Sequence, residues 1–236
     1  MDVPLTPQGV EEAKRAGQVL KDEGLQFDLA YTSVLQRAIK TCWTVLDETQ
    51  QHFVPMQQDW RLNERHYGAL QGLNKAETAA KHGEDKVTLW RRSYDVAPPP
   101  YDKAHPFFVG GERRYAGINP AQLPNTESTL TCGERVVPFW ERVLKPLVQA
   151  NKRLLVVAHG NSLRALIKHL DGFSNEQIIA LNLPTGVPLV YQFEEKTLKP
   201  IPQPGRMDGL SGRYAGDLAA IAADIQKVKD QAKAKK

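Results

Sequence analysis

The order strand, polar turn, helix occurs twice in this chain, and it constrains the fold more than any other feature of the sequence. The first copy is FDLAYTS (27–33) followed by VLQRAIKTCWTVLDE (34–48), and the second is KRLLVVAHG (152–160) followed by NSLRALIKHL (161–170). Short apolar runs that pass at once into helical spacing indicate parallel strands, because parallel neighbours need a helical crossover. We therefore predict an α/β fold with a mostly parallel sheet flanked by helices.

Capping residues mark where further helices begin. Thr6 is suited to an N-cap with Pro7 at the first helical position, and Gly24 ends the helix that follows. Ser174 and Gln177 have the spacing of a capping box. The other predicted features are a helix cap at Thr32 or Ser33, a final strand at 187–193 and a weakly amphipathic helix at 216–231.

The segment from about 60 to 135 separates the two strand–helix units. It is polar and has a centre rich in proline and glycine, and it is too long for a passive connection. We predict that it is an inserted lid or subdomain. Apolar content falls after Pro200, so we expect one domain over 1–200 and a C-terminal tail over 201–236.

Composition excludes several classes of protein. The net charge of +4 comes without a dense basic run inside the folded region, so we expect no nucleic-acid partner. Cys42 and Cys132 stand alone, which argues against a disulfide framework or structural zinc and for a reducing compartment. No histidine pair has metal-ligand spacing, and no apolar run approaches the ~20 residues of a membrane span. The prediction is a soluble cytoplasmic protein without a metal.

The candidate functional residues lie where the two predicted strands end. Ligands of open parallel sheets bind outside the carboxyl ends of the strands. His159 ends the second strand, and Gly160 and Asn161 open a helix whose N-terminus favours phosphate. Arg37 lies in the first turn after the first strand and can grip a phosphate. The alternatives are that His159 only forms a hydrogen bond within the turn and that Arg37 is an ordinary surface residue.

The predicted insert adds a second group of candidates. Within NERHYGALQGLNKAE (63–77), Glu64 is an acid/base candidate beside several cations and a tyrosine. The alternative is a solvated loop with incidental charge, but so many donors around one glutamate favour an anion site. The candidates in this segment and shortly after it are Glu64, Tyr67, Lys75, Arg91 and Arg92.

Five stretches together resemble the cofactor-dependent phosphoglycerate mutases of the histidine phosphatase superfamily, over residues 2 to about 193. The resemblance implies interconversion of 3- and 2-phosphoglycerate in glycolysis and gluconeogenesis, through a phosphohistidine primed by 2,3-bisphosphoglycerate and without a metal. It also implies a homodimer or homotetramer and small phosphorylated three-carbon acids as substrates. The stretches are AYTSVLQRAIKTCWTVLDE (30–48), LNERHYGALQGLNKAET (62–78), LWRRSYDVAPPP (89–100), AHGNSLRALIKHLD (158–171) and LNLPTGVPLVYQF (181–193).

The same resemblance implies a role for each candidate residue. Glu64 is similar to the general acid/base that exchanges a proton with the substrate hydroxyl. His159 is similar to the histidine that stabilises the phosphoryl group in flight. The implied phosphate ligands are Arg37, Asn161 and the Gly160 amide, and the implied ligands of substrate carboxylate and phosphate are Tyr67, Lys75, Arg91 and Arg92.

The sequence departs from the family in two places, a C-terminal tail in which IPQPGRMDGLSG (201–212) looks inserted and, more importantly, the N-terminus. Family members open with a strand that ends in Arg-His-Gly-Glu, whose histidine is the nucleophile, and this chain contains no Arg-His-Gly. In the family that strand is central to the sheet and lies beside the strand that corresponds to the one ending at His159. The free energy lost without it should exceed the ~5–15 kcal/mol by which a folded domain is stable. We expect a mutase whose first segment is missing from the sequence, inactive as written. The alternative is a pseudoenzyme that binds phosphate ligands or a partner without turnover.

Overall fold

A parallel three-stranded sheet lies at the centre of the fold. The computed structural model describes residues 2–73, 75–102, 104–105 and 107–233, without the side chains at 75, 76, 79, 81, 92, 224 and 227–233. The strands are β1 (Leu29–Thr32), β2 (Met56–Gln58) and β3 (Leu154–Val157), in the order β2-β1-β3. Ala30 of β1 pairs with Met56 on one side and with Leu155 on the other. The predicted α/β fold with a parallel sheet is confirmed.

Helices cover the sheet, and local sequence determines where the first of them starts. Helix α1 (Pro7–Asp22) begins at Thr6, whose Oγ1 accepts a hydrogen bond from the Gly9 amide. It packs closely on α2 (Gln36–Glu48) at Gly17, where a Cβ would lie only 2.6 Å from the Cβ of Glu48. Helix α7 (Gly160–Asp171) follows β3, and α8 (Asn175–Ala180) starts with the predicted Ser174–Gln177 capping box.

The predicted cap of α2 at Thr32 or Ser33 is wrong. The helix starts at Gln36, and Leu35 occupies the N-cap position without a side-chain hydrogen bond. The Ser33 hydroxyl lies 2.7 Å from the Nε2 of His159 and accepts from the Leu35 amide. The Ser33 hydroxyl, which the local pattern predicted to cap the helix, therefore contacts a residue 126 positions away in sequence.

The predicted final strand at 187–193 is shorter than expected and lies outside the parallel sheet. Only β4 (Leu189–Val190) forms, and it pairs antiparallel with β5 (Arg213–Tyr214). The reason is tertiary, because the C-terminal segment supplies the only strand that β4 pairs with among the described residues. Leu210, Tyr214 and Ile221 share an apolar cluster with residues of α7 and α8, so this part of the chain packs on the body of the fold. It continues into α9 (Leu218–Lys233).

The segment expected to be irregular contains two polar helices, α3 (Lys75–His82) and α4 (Glu84–Arg92). Short 3-10 turns connect them to α5 (Thr129–Phe139), which continues through a π turn at Trp140–Leu144 into α6 (Lys145–Gln149). Their low apolar content explains why hydrophobic periodicity did not reveal α3 and α4.

Strand β3 stands at the edge of the sheet. Among the described residues it has one strand neighbour, and its four apolar side chains are only half-buried. Apolar residues of this kind are usually covered on both faces of a parallel sheet. The same end of the sheet carries His159. None of the helices in the described ranges has the length and hydropathy needed to span a membrane.

Candidate active site

A cavity of about 330 Å³ lies beyond the carboxyl end of β1, between α2, the loop after β2 and the end of α4. Arg37 of α2 and Arg91 of α4 line it, with Glu64, Arg65 and Tyr67 of the loop between them. The carboxyl end of the sheet is where ligands bind in open α/β folds. The structure thus brings Arg37 of the strand-end group to one cavity with candidates from the insert. The other strand-end candidates are not among the residues that line it: His159, Gly160 and Asn161.

His159 is the N-cap residue of α7 and is 8% exposed. Its backbone amide donates to the Ser162 hydroxyl at 3.2 Å, and its Nε2 lies 2.7 Å from the Ser33 hydroxyl. Burial, and then the nearby charges of Arg37 and Arg135, lower the pKa of His159 to about 3. The imidazole is therefore neutral at pH 7, so it is a hydrogen-bonding group rather than a fixed cation.

Glu64 connects the loop after β2 to the start of α7. Its Oε1 accepts the Arg65 amide at 2.7 Å and the Asn161 amide at 3.2 Å. The Asn161 side chain donates from Nδ2 to the Tyr67 hydroxyl at 3.1 Å. A half-buried carboxylate, an amide and a phenol are thus joined at the N-terminus of a helix, where backbone N–H groups favour negative charge.

Arg65 is the least expected member of the site. It is 2% exposed, yet its Nε and Nη1 have no hydrogen-bond partner. Its Nη2 makes only a 3.5 Å contact with the Arg91 carbonyl, and its guanidinium lies 4.5 Å from the centre of the Tyr67 ring. The Nε of Arg91 is buried and unpartnered as well. Buried cationic donors without acceptors are costly, so this arrangement suits an anion.

The sequence placed Arg65 between two candidates but did not single it out. The unbroken run of polar residues in NERHY (63–67) gives no sign of which side chain is buried. Burial with unpaired donors is the property that identifies Arg65, and it depends on the tertiary structure.

The remaining predicted residues differ in how they are placed. Arg37 is half-buried in the first turn of α2, and Gly160 opens α7 directly after His159. The side chains of Lys75 and Arg92 lie outside the described part of the structure, so their predicted roles stay predictions. Across the described ranges, no group of three or more His, Cys, Asp and Glu residues is arranged to hold a metal ion.

A larger hollow of about 470 Å³ lies at the opposite end of β1. Several of its polar groups are already paired within the protein, since Arg153 bonds Asp28 and the Gln51 side chain accepts the Phe27 amide. It offers no buried unpartnered donor like that of Arg65. The smaller cavity is therefore the candidate active site.

Comparison with known proteins gives one family match. The sequence model described as the histidine phosphatase superfamily, branch 1, matches residues 1–109 and 111–199. These ranges include the cavity, both strand–helix units and β4.

Several solved structures share the fold at low identity. Bacillus stearothermophilus YhfR is 18% identical, with a TM-score of 0.61 over 84% of this chain and 82% of its own. A putative alpha-ribazole-5'-P phosphatase from Escherichia coli is 21% identical, with a TM-score of 0.59 over 92% and 86%. A mycobacterial glucosyl-3-phosphoglycerate phosphatase, solved with VO3, is 22% identical, with a TM-score of 0.57 over 90% and 85%. Identities this low support the fold alone.

Proposed function

Because the chain belongs to the histidine phosphatase superfamily, whose members carry out phosphoryl transfer, we propose that its cavity binds a small phosphorylated carboxylic acid. The reaction that we propose for the site, in a chain that also carries the family's nucleophilic histidine, is interconversion of 3- and 2-phosphoglycerate. The expectations of a cytoplasmic location and of a homodimer or homotetramer stay predictions.

The observation that carries the proposal is the buried guanidinium of Arg65, whose Nε and Nη1 have no hydrogen-bond partner. With Arg37 and Arg91 on the same cavity, it provides cationic donors on several sides of a small anion. Guanidinium groups match the paired oxygens of phosphate and carboxylate, and phosphoryl transfer depends mainly on such positioning and charge. The cavity volume of about 330 Å³ suits a compact ligand.

We assign proton exchange to Glu64 and stabilisation of the phosphoryl group to His159. Glu64 lies at the cavity with Oε1 fixed by two backbone amides, which orients its carboxylate for proton exchange with a substrate hydroxyl. His159 is neutral and buried and does not itself line the cavity. The role proposed for it is a hydrogen bond to the phosphoryl oxygens from an imidazole without a fixed charge. The Gly160 amide at the start of α7 is proposed to favour the same anion, whereas the Asn161 amide already donates to the Glu64 carboxylate.

The proposed primer is 2,3-bisphosphoglycerate, and the unpaired donors of Arg65 and Arg91 fit an anion of this kind. When bound, it supplies the phosphoryl group that starts the cycle. Arg37, Arg65 and Arg91 would hold its phosphate and carboxylate groups, and Tyr67 and Asn161 would fix the orientation of the side that faces α7.

A phosphatase is the second candidate function. It is favoured by the solved structures of similar fold, two of which are described as phosphatases. The two reactions use the same anion site and differ in whether the phosphoryl group returns to the acid or passes to water. A third candidate is a binding module without turnover, because the 236 residues contain no Arg-His-Gly.

Titration of the 236-residue chain with 3-phosphoglycerate tests the proposal. We expect saturable binding by calorimetry, weakened about tenfold by Arg37→Ala, the loss of roughly one charge-assisted contact. Arg142→Ala is the matched control, since Arg142 is exposed and outside the cavity. Absence of binding, or equal affinity in the Arg37 variant, would contradict the proposal.

Products distinguish the candidate reactions. The chain is incubated with 3-phosphoglycerate and 2,3-bisphosphoglycerate and followed by phosphorus NMR. Formation of 2-phosphoglycerate supports the mutase and release of inorganic phosphate supports the phosphatase. We expect binding without either product from these residues alone, because they do not include the family's nucleophile; turnover would show that another residue takes that role.

A further inference from the structure

A buried ion pair outside the cavity binds the loop that carries Glu64, and it has no part in the function proposed above. Glu127 is 2% exposed and directly precedes Ser128, the N-cap residue of α5. Arg135 is 8% exposed and lies two turns further along the same helix. Neither residue lines the cavity.

Arg135 uses its guanidinium to hold both Glu127 and the loop. Its Nε and Nη2 donate to the two carboxylate oxygens of Glu127 at 2.7 and 2.8 Å. Nη1 donates to the Arg61 carbonyl at 2.6 Å. Nη2 also donates to the carbonyls of Asn63 and Glu64, at 3.0 and 3.3 Å. One rigid, planar group therefore fixes three carbonyls in a stretch of four residues.

Glu127 fixes the other end of the same loop. Its Oε2 accepts the His66 amide at 2.9 Å, and its own amide donates to the His66 carbonyl at 2.7 Å. Burial raises the pKa of Glu127, but the hydrogen bonds and charge of Arg135 outweigh burial and hold it below its ordinary value. The pair is therefore ionised, and its bonds are charge-assisted.

We propose that Glu127 and Arg135 are positioning residues for the candidate active site, an inference that rests on the function proposed above. They fix the backbone from residue 61 to 66, and this backbone sets where Glu64 and Arg65 stand. The carboxylate of Glu64 then meets the Asn161 amide on α7 at 3.2 Å. Arg135 makes no hydrogen bond to Asn161, and its hydrogen bonds to this segment all go to the loop. Helix α5 also packs directly on α7, so Glu64→Ala is needed as the reference for an effect that passes through Glu64.

Arg135→Lys tests the proposal because lysine keeps the charge but not the fork. An ammonium has three donors at one point and cannot serve the carboxylate and three carbonyls together. Two readouts are measured on the full chain: the backbone amide signal and hydrogen exchange of Asn161 by NMR, and the affinity for inorganic phosphate. Glu64→Ala provides the reference for an Asn161 amide that has lost its acceptor. Arg142→Lys, the same change at an exposed position of the π turn, is the matched control.

We expect Arg135→Lys to move the Asn161 signal toward its position in Glu64→Ala, to speed its exchange, and to weaken phosphate binding about tenfold. Arg142→Lys should change neither. A folded Arg135→Lys protein with a wild-type Asn161 amide would overturn the proposal, as would a phosphate affinity within about twofold of wild type.

Two further arms keep the test decisive. If Arg135→Lys does not fold, Glu127→Gln replaces it, since glutamine keeps the shape but loses one acceptor and the charge; the expected and contrary results are the same. If the wild type binds no phosphate, the proposed function fails, and the Asn161 amide alone decides whether the pair positions Glu64.

Discussion

Replacing Arg65 with methionine is expected to stabilise the ligand-free protein, although most substitutions of buried residues destabilise. The side chain is 2% exposed, and two of its guanidinium nitrogens, Nε and Nη1, have no partner. Methionine has a similar length and fills the same space without polar atoms. The substitution removes donors whose role, in the function proposed here, is to meet a bound anion.

The magnitude follows from the contacts that are lost and gained. Each unpaired buried donor costs about 1–3 kcal/mol, so two cost about 2–6 kcal/mol. The stacking of the guanidinium on Tyr67, at 4.5 Å, is lost and is worth about 0.5–2 kcal/mol. We therefore expect the free energy of unfolding to rise by up to about 5 kcal/mol, with about 2–4 °C in Tm for each kcal/mol in a chain of this size.

The assay is thermal and urea unfolding with and without inorganic phosphate. Wild-type protein should gain stability when phosphate is added, because a ligand that binds the native state adds RT ln(1 + [L]/Kd). Arg65→Met should start from a higher Tm and gain little from phosphate. Arg142→Met, at an exposed position, should stay within about 0.5 kcal/mol of wild type. A loss of stability in Arg65→Met, or an unchanged response to phosphate, would refute the reasoning.

Two further predictions concern stability. Burial lowers the pKa of His66 to about 4. Between pH 6.5 and 4 this histidine is protonated in the unfolded chain but neutral in the folded protein. The free energy of unfolding must therefore fall as pH falls through this window. At pH 5, His66→Gln should have lost about 2 kcal/mol less than wild type in urea unfolding, and equal losses would contradict this. Gly68 has φ +54°, and a Cβ there would lie 2.2 Å from the Pro99 carbonyl oxygen, so Gly68→Ala should cost about 2–5 kcal/mol. Gly172→Ala, at φ +67° in the left-handed helical region with open space around it, should cost only about 1–2 kcal/mol, and equal costs would show that the contact with Pro99 relaxes freely.

Local chemistry made several elements predictable. Thr6 with Pro7, and Ser174 with Gln177, start helices through hydrogen bonds within one turn, so the residues that decide the structure are neighbours in sequence. The parallel sheet was also predictable, because short apolar runs joined by helices leave few other arrangements. Its topology brings the ends of β1 and β3 to the same edge, which places Arg37 and His159 near each other before any coordinates are known.

Other features were not predictable from pattern. The Ser33 hydroxyl was expected to cap a helix, but it contacts His159 across 126 residues. A strand was expected over 187–193, but only Leu189–Val190 forms one, and it pairs with residues 213–214. In both cases the hydrogen-bonding partner is set by distances between segments that are far apart in sequence. Hydrophobic periodicity carries no information about these distances.

The sequence by itself determined the fold class, the superfamily and the general position of an anion site at the strand ends. Only the tertiary structure decided that Arg65 is buried with unpaired donors, and that Glu127 and Arg135 hold the loop of Glu64 from behind. The physical reason is that secondary structure and strand direction follow from interactions over a few residues, whereas the burial and pairing of a charge depend on which distant segments close around it.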